Sequence, residues 1–188
     1  MARTIMNRAM TSVVGALVLL LGTSAAHAVT YEGSILSGSN GVSLVHGVPL
    51  SDTDPADWLR FDDGASFTFD VTGLIVSASG PQSYTLTSNA GDTATFVIES
   101  MLLELDDITG IPMGTIDYTL DGVAGTFTFL EQTYGDSGFN SSSFDGSDIT
   151  VAIWGGDAAN NLGLDLVFTG SPIPVPPALW LLGSAVAA

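Results

Sequence analysis

Apolar and polar residues alternate singly along most of this chain, in short stretches separated by Gly, Ser, Asn and Asp. In Ala65-Ser66-Phe67-Thr68-Phe69-Asp70-Val71, the residues Phe67, Phe69 and Val71 fall on one side and Ser66, Thr68 and Asp70 on the other. That two-residue period belongs to a strand with one face buried. Residues 83–87 alternate likewise, and residues 94–98 follow the turn Asn89-Ala90-Gly91-Asp92. Residues 116–120 and 125–129 flank Asp121-Gly122, and Asp-Gly favours the positive φ angles of a tight type I′ hairpin turn. Residues 147–154 place Ile149, Val151 and Ile153 inward, with Trp154 read as core, and residues 162–168 make the last strand. Residues 31–36 and 42–46 are the first, with Gly38-Ser39-Asn40-Gly41 as a turn. Glu99-Ser100-Met101-Leu102-Leu103-Glu104-Leu105 fits either a short helix or a continuation of the preceding strand past a bulge, and the bulged strand is the expectation. No stretch of the body has a 3.6-residue period. About nine or ten short strands with frequent turn signals predict an all-β, antiparallel sandwich or jelly roll. Residues 135–146, rich in Gly, Ser, Asn and Asp, read as a long exposed loop.

The two ends break this pattern. Residues 1–28 have Arg3 and Arg8, then an apolar run over residues 13–21, then Ala26-His27-Ala28. A basic start, a short apolar core and a small-x-small site define a secretory signal peptide, cleaved after Ala28. At the other end, four prolines at 172, 174, 176 and 177 precede an apolar run from Ala178 to Ala188. Proline fixes φ and lacks an amide proton, so this is an extended strut leading to an apolar tail. The expected organisation is a signal peptide over 1–28, a β domain over 29–170 and the strut with its tail over 171–188, with no ladder bond depending on the chain from Pro172 onward.

Pro174-Val175-Pro176 followed by Pro177-Ala178-Leu179-Trp180-Leu181-Leu182-Gly183-Ser184 resembles the C-terminal sorting signal of the PEP-CTERM family, in the variant without the middle glutamate. The resemblance covers about a tenth of the chain. It implies export through the Sec machinery and signal peptidase, and transient anchoring in the inner membrane of a Gram-negative bacterium. It further implies recognition by an exosortase, and a place at the cell surface or in the extracellular matrix, where family members are often linked to exopolysaccharide and biofilm. The family tail continues through a full span to an arginine-rich end. Here the apolar run is shorter than the roughly 20 residues a span needs, so the tail reads either as truncated or as a degenerate form of the signal.

Removal of residues 1–28 sharpens the charge. All 20 acids lie beyond Ala28, and Arg60 is the one remaining base, which leaves a net charge of −19. Such a chain is repelled by nucleic acid and by anionic head groups. The chain has no cysteine, which removes disulfides, thiolate nucleophiles and Cys-ligated zinc.

Candidate chemistry is sparse. Asp52, Asp54 and Asp57, with Asp62 and Asp63 close behind, could hold Ca²⁺ through carboxylate oxygens, or could be a solvated acidic loop. Asp145, Asp148 and Asp157 with Asn160 and Asn161 form a second such set. Glu99, Glu104 and Glu131 could each pair with an aspartate as a glycosidase acid and base, which needs two carboxyls across a sugar site. Trp58, among aspartates, is the candidate for stacking on a sugar ring, and Arg60 is expected to pair with Asp62 or Asp63. Gly135-Asp136-Ser137-Gly138 looks like a serine-protease nucleophile motif, but Phe139 follows and His46 is the sole histidine after residue 28, without that family's flanking pattern. No catalytic residue is assigned. The expectation is an exported structural or adhesive protein associated with exopolysaccharide, and the alternative is a glycan-binding or glycan-hydrolysing jelly roll.

Overall fold

The computed structural model describes residues 28–36, 41–44, 57–130, 140–145 and 147–174. Among the described residues twelve strands form: β1 (Val29–Ile35), β2 (Gly41–Ser43), β3 (Trp58–Phe61), β4 (Ser66–Thr72), β5 (Ile75–Ala78), β6 (Gln82–Ser88), β7 (Thr93–Leu105), β8 (Pro112–Leu120), β9 (Val123–Phe129), β10 (Ser141–Phe144), β11 (Ile149–Asp157) and β12 (Leu162–Pro172). Every pairing is antiparallel and no α-helix occurs among the described residues. The all-β, antiparallel, sandwich-like fold expected from the alternation is therefore the fold that forms. Its strand count is twelve because β3, β5 and β10, four residues each, carry too short a pattern to be read. Residues 141–144 were expected in an exposed loop and instead pair with β11.

All twelve strands belong to one sheet that closes on itself. The order is β10-β11-β9-β8-β7-β5-β4-β1-β12-β2-β3-β6, with β11–β12 and β7–β6 paired as well. Two long strands make the closure. Residues 163–165 of β12 pair with β2, and residues 168–172 pair with β1. Residues 93–98 of β7 pair with β6, and residues 102–104 pair with β5. The blocks β2-β3-β6 and β1-β4-β5 thus lie end to end, and each bridges β12 to β7. On the opposite wall, β9 and β10 share one flank of β11 in the same way, meeting it at Gly156 and at residues 149–152. The outer side of β10 abuts the turn before β8, where Ser142 Oγ donates to Gly110 O at 2.6 Å. Sheet edges that would otherwise present free amides are in this way paired or covered.

The interior is one apolar cluster. Phe168 packs against Phe67 and Phe69, with ring centroids 4.6 and 5.0 Å apart, and Tyr118 stacks on Phe127 at 4.3 Å. Such pairs add about 0.5–1.5 kcal/mol each beyond the area they bury. Burial follows the predicted alternation: Phe67 and Phe69 on β4, and Ile149, Val151 and Ile153 on β11, all face the core. In β7 the parity changes midway. Ala94, Phe96 and Ile98 face in, then Met101, Leu103 and Leu105. The register against β8 slips between Ile98 and Ser100, leaving Glu99 as the extra residue of a bulge. Without it, strict alternation would drive Ser100, Leu102 and Glu104 inward and Leu103 out. At Asp121-Gly122, φ angles of 47° and 81° give the tight turn between β8 and β9 that the dipeptide demands.

At the C-terminal end, β12 continues farther than expected. Ser171 pairs with Glu32 and Pro172 with Tyr31, and the Ile173 amide donates to Thr30 O at 2.8 Å. Proline is tolerated here because it closes the strand rather than interrupting it. The expectation that the chain from Pro172 contributes no ladder bond is corrected: the ladder ends at Ile173, and Pro174 is the first exposed residue beyond it. Ala26 and residues 175–184 of the tail motif lie outside the described residues; Ala28 is exposed just before β1.

Candidate functional site

The outer face of β11, β12, β2 and β3 carries the chain's unusual polar chemistry. One cross-strand row runs Trp154, Asp165, Gly41, Arg60, and the next runs Gly156, Gly163, Ser43, Trp58. Alternation puts these residues outward because Leu162, Leu164, Leu166 and Phe168 fill the core from the same strand. Asp165 is nevertheless partly covered, and burial pushes its carboxyl up to about 7. Among the described residues no hydrogen bond to its carboxyl offsets that loss of hydration. A carboxyl that holds its proton near neutrality can donate as well as accept, which is what a sugar-binding or acid-catalytic group does. Trp154 lies across the strand from it, half-buried on the outside rather than in the core as the sequence suggested. Asp165 was not singled out from the sequence. Its only local signal is an acid between leucines in a strand; Trp154 reaches it across the β11–β12 hairpin, and Gly41 comes from far away in the chain.

Trp58 is on β3 rather than in a loop, and it is only 8% exposed. It is not an open stacking platform. Its Nε1 has no hydrogen-bond partner among the described residues. The guanidinium of Arg60 lies 4.7 Å from the centroid of the Trp58 ring, in place of the expected pairing with Asp62 or Asp63. Asp57 is partly buried, and its carbonyl accepts from the Leu44 amide at 2.9 Å. Asp52 and Asp54 lie outside the described residues, as do His46, Glu131 and the Gly135-Asp136-Ser137-Gly138 motif. Among the described residues, no group of three or more His, Asp or Glu side chains is placed to hold a metal ion.

The second acidic set does not come together. Asp148 sits where β11 begins, and its carboxylate accepts from Ser171 Oγ at 2.6 Å. Asp157 ends the same strand, seven positions beyond Thr150. Only 5% exposed, Asp157 accepts five hydrogen bonds: from Tyr118 Oη at 2.9 Å, Asn160 Nδ2 at 2.8 Å, and the amides of Thr126, Ala159 and Asn160 at 3.2, 2.9 and 3.2 Å. Burial acts to raise its pKa, but the bonds from Asn160, Tyr118 and the amides outweigh it and hold the carboxyl below the usual range. Asn160 Nδ2 also reaches Ala124 O at 3.2 Å. Asp157 therefore ties β11 and its hairpin turn to β8 and β9, and its lone pairs are already used. Gly125 makes room for this cluster: a Cβ there would overlap Asp157 Oδ2, Asn160 Nδ2 and Tyr118 Oη. Gly125→Ala is expected to lower the unfolding free energy by about 1–3 kcal/mol, the range for forced overpacking. A chemical-denaturation midpoint equal to wild type would contradict this placement.

Elsewhere, hydroxyls stand in for the missing bases. Thr30 donates to Asp70 at 2.6 Å, Ser100 and Thr126 to Asp117 at 2.9 and 2.8 Å, and Thr119 to Glu99 at 3.2 Å. Glu99, at the β7 bulge, and Glu104, near the strand's C-terminal end, are both exposed. Comparison with models of known families, with curated proteins and with solved structures finds no match to this chain.

Proposed function

We propose that this chain is an exported protein of the PEP-CTERM type that serves at the cell surface or in the extracellular matrix, in a structural or adhesive role within exopolysaccharide. The observation that carries this is the position of the two chain ends. Val29, where signal cleavage would begin the mature chain, starts β1, and Pro174, where the tail motif begins, follows the residue that pairs with Thr30. The described ladder thus runs from one predicted processing segment to the other, which supports this reading. A sheet without disulfides, with outward Thr, Ser, Asp and Glu, suits a hydrated polysaccharide surrounding.

A glycan-active role is the second reading, favoured by Asp165 and Trp154 side by side on the outer face. The experiment that separates the two incubates the protein from Val29 onward with exopolysaccharide and a panel of oligosaccharides. Co-sedimentation without release of reducing ends supports the matrix role. Hydrolysis that is abolished by Asp165→Asn supports the second reading, and neither binding nor hydrolysis contradicts both.

A further inference from the structure

The end of the sheet from which both termini leave is also edged with exposed aliphatic side chains. Val29 is 41% exposed, Leu74 46%, Ile75 42% and Ile173 41%. The pairings place them together. Val29 lies opposite Val71, Thr72 opposite Ile75, and Ile75 opposite Glu104, while the Leu105 amide donates to Leu74 O at 2.8 Å and the Ile173 amide to Thr30 O at 2.8 Å. Beyond Pro174, three residues, Val175, Pro176 and Pro177, precede the apolar run from Ala178. At about 3.1 Å per residue for an extended proline-rich segment, that run starts within about 12 Å of Pro174.

We infer that this end of the domain rests on the lipid surface while the tail is held in the membrane; the inference builds on the tail-anchoring part of the proposed function. A tether so short leaves the domain no room to stand off, and the part nearest the bilayer is the rim of Val29, Leu74, Ile75 and Ile173. Half-exposed aliphatic side chains at the interface lose contact with water, which is favourable in proportion to the area covered. Asp107 is exposed and Asp106 partly exposed at the same end, so the surface matches zwitterionic rather than anionic lipid.

The absence of cysteine makes site-specific labelling clean. An environment-sensitive fluorophore is placed through Leu74→Cys, or through Ala90→Cys in the turn before β7 at the opposite end of the sheet. Each labelled chain, running from Val29 to Ala188, is mixed with phosphatidylcholine vesicles that carry brominated acyl chains, and binding is followed separately by flotation. The expected result is flotation of both proteins, with quenching several-fold stronger at position 74 than at 90. The double substitution Leu74→Ser with Ile75→Ser should weaken vesicle binding several-fold without changing the melting temperature by more than a few degrees. Flotation with equal quenching at both positions overturns the inference and leaves the tail anchor standing. Failure to float overturns both.

Discussion

Asp165→Asn is expected to stabilise the domain at pH 8 by about 2–3 kcal/mol and to remove a decline in stability that the wild type shows between about pH 4 and pH 7. Burial holds the carboxyl near 7 in the folded chain, against 3.8 for the free side chain. Within that window the folded form keeps a proton that the unfolded chain has released. Stability therefore falls as pH rises, is fully present below about pH 4, and has lost this contribution above about pH 7. About three units at 1.4 kcal/mol each would set a ceiling near 4 kcal/mol, and the amide's own burial reduces the gain. In a domain of this size the gain amounts to a melting shift of roughly 5–10 °C. Other carboxylates titrate in the same window, so the informative quantity is the difference between variant and wild type at each pH. Parallel curves would show that Asp165 is solvated in the folded protein.

Asp157→Ala is expected to cost about 3–4 kcal/mol, a fall in melting temperature on the order of 10 °C. The substitution removes the acceptor of Tyr118 Oη from a buried bond, and the acceptor of the Thr126, Ala159 and Asn160 amides from partly buried ones, where β8, β9 and β11 meet. Tyr118→Phe removes a single donor and should cost only about 1 kcal/mol. The pH dependence has the opposite sign to that of Asp165. The pKa of Asp157 is depressed by its donors, so its contribution is present above the ordinary carboxylate range and is lost as pH falls through the lower native value. Together the two groups predict maximal stability near pH 4. Equal denaturation midpoints for wild type and Asp157→Ala would mean that the corner is held by something else.

The strands that could be read in the sequence are those with a complete apolar face. Phe67 and Phe69, Ile149, Val151 and Ile153, and Asp121-Gly122 carry their structural role within five or six residues of chain. The β7 bulge was legible too, because Met101, Leu103 and Leu105 reach the core only if the alternation slips at Glu99. What escaped depends on partners remote in sequence. Ser141-Ser142-Ser143-Phe144 has no apolar side, and it becomes a strand only because β11 lies alongside. Trp58 lies across from Ser43, and Asp165 lies between Trp154 and Gly41, of which Gly41 is remote from it in the chain. The extension of β12 through Ser171, Pro172 and Ile173 ran against the local proline signal and was set by pairing with β1. Closure of the sheet, the property that joins these features, has no signature in any single segment.

Export with a processed C-terminal tail is tested most directly by intact-mass measurement of the protein recovered from the cell surface and medium of a Gram-negative host that carries an exosortase. The expected species begins at Val29 and has lost the segment beyond the proline strut, while a partner culture without exosortase retains the tail in the inner-membrane fraction. A full chain from Met1 to Ala188 found in the cytoplasm of both cultures would contradict it.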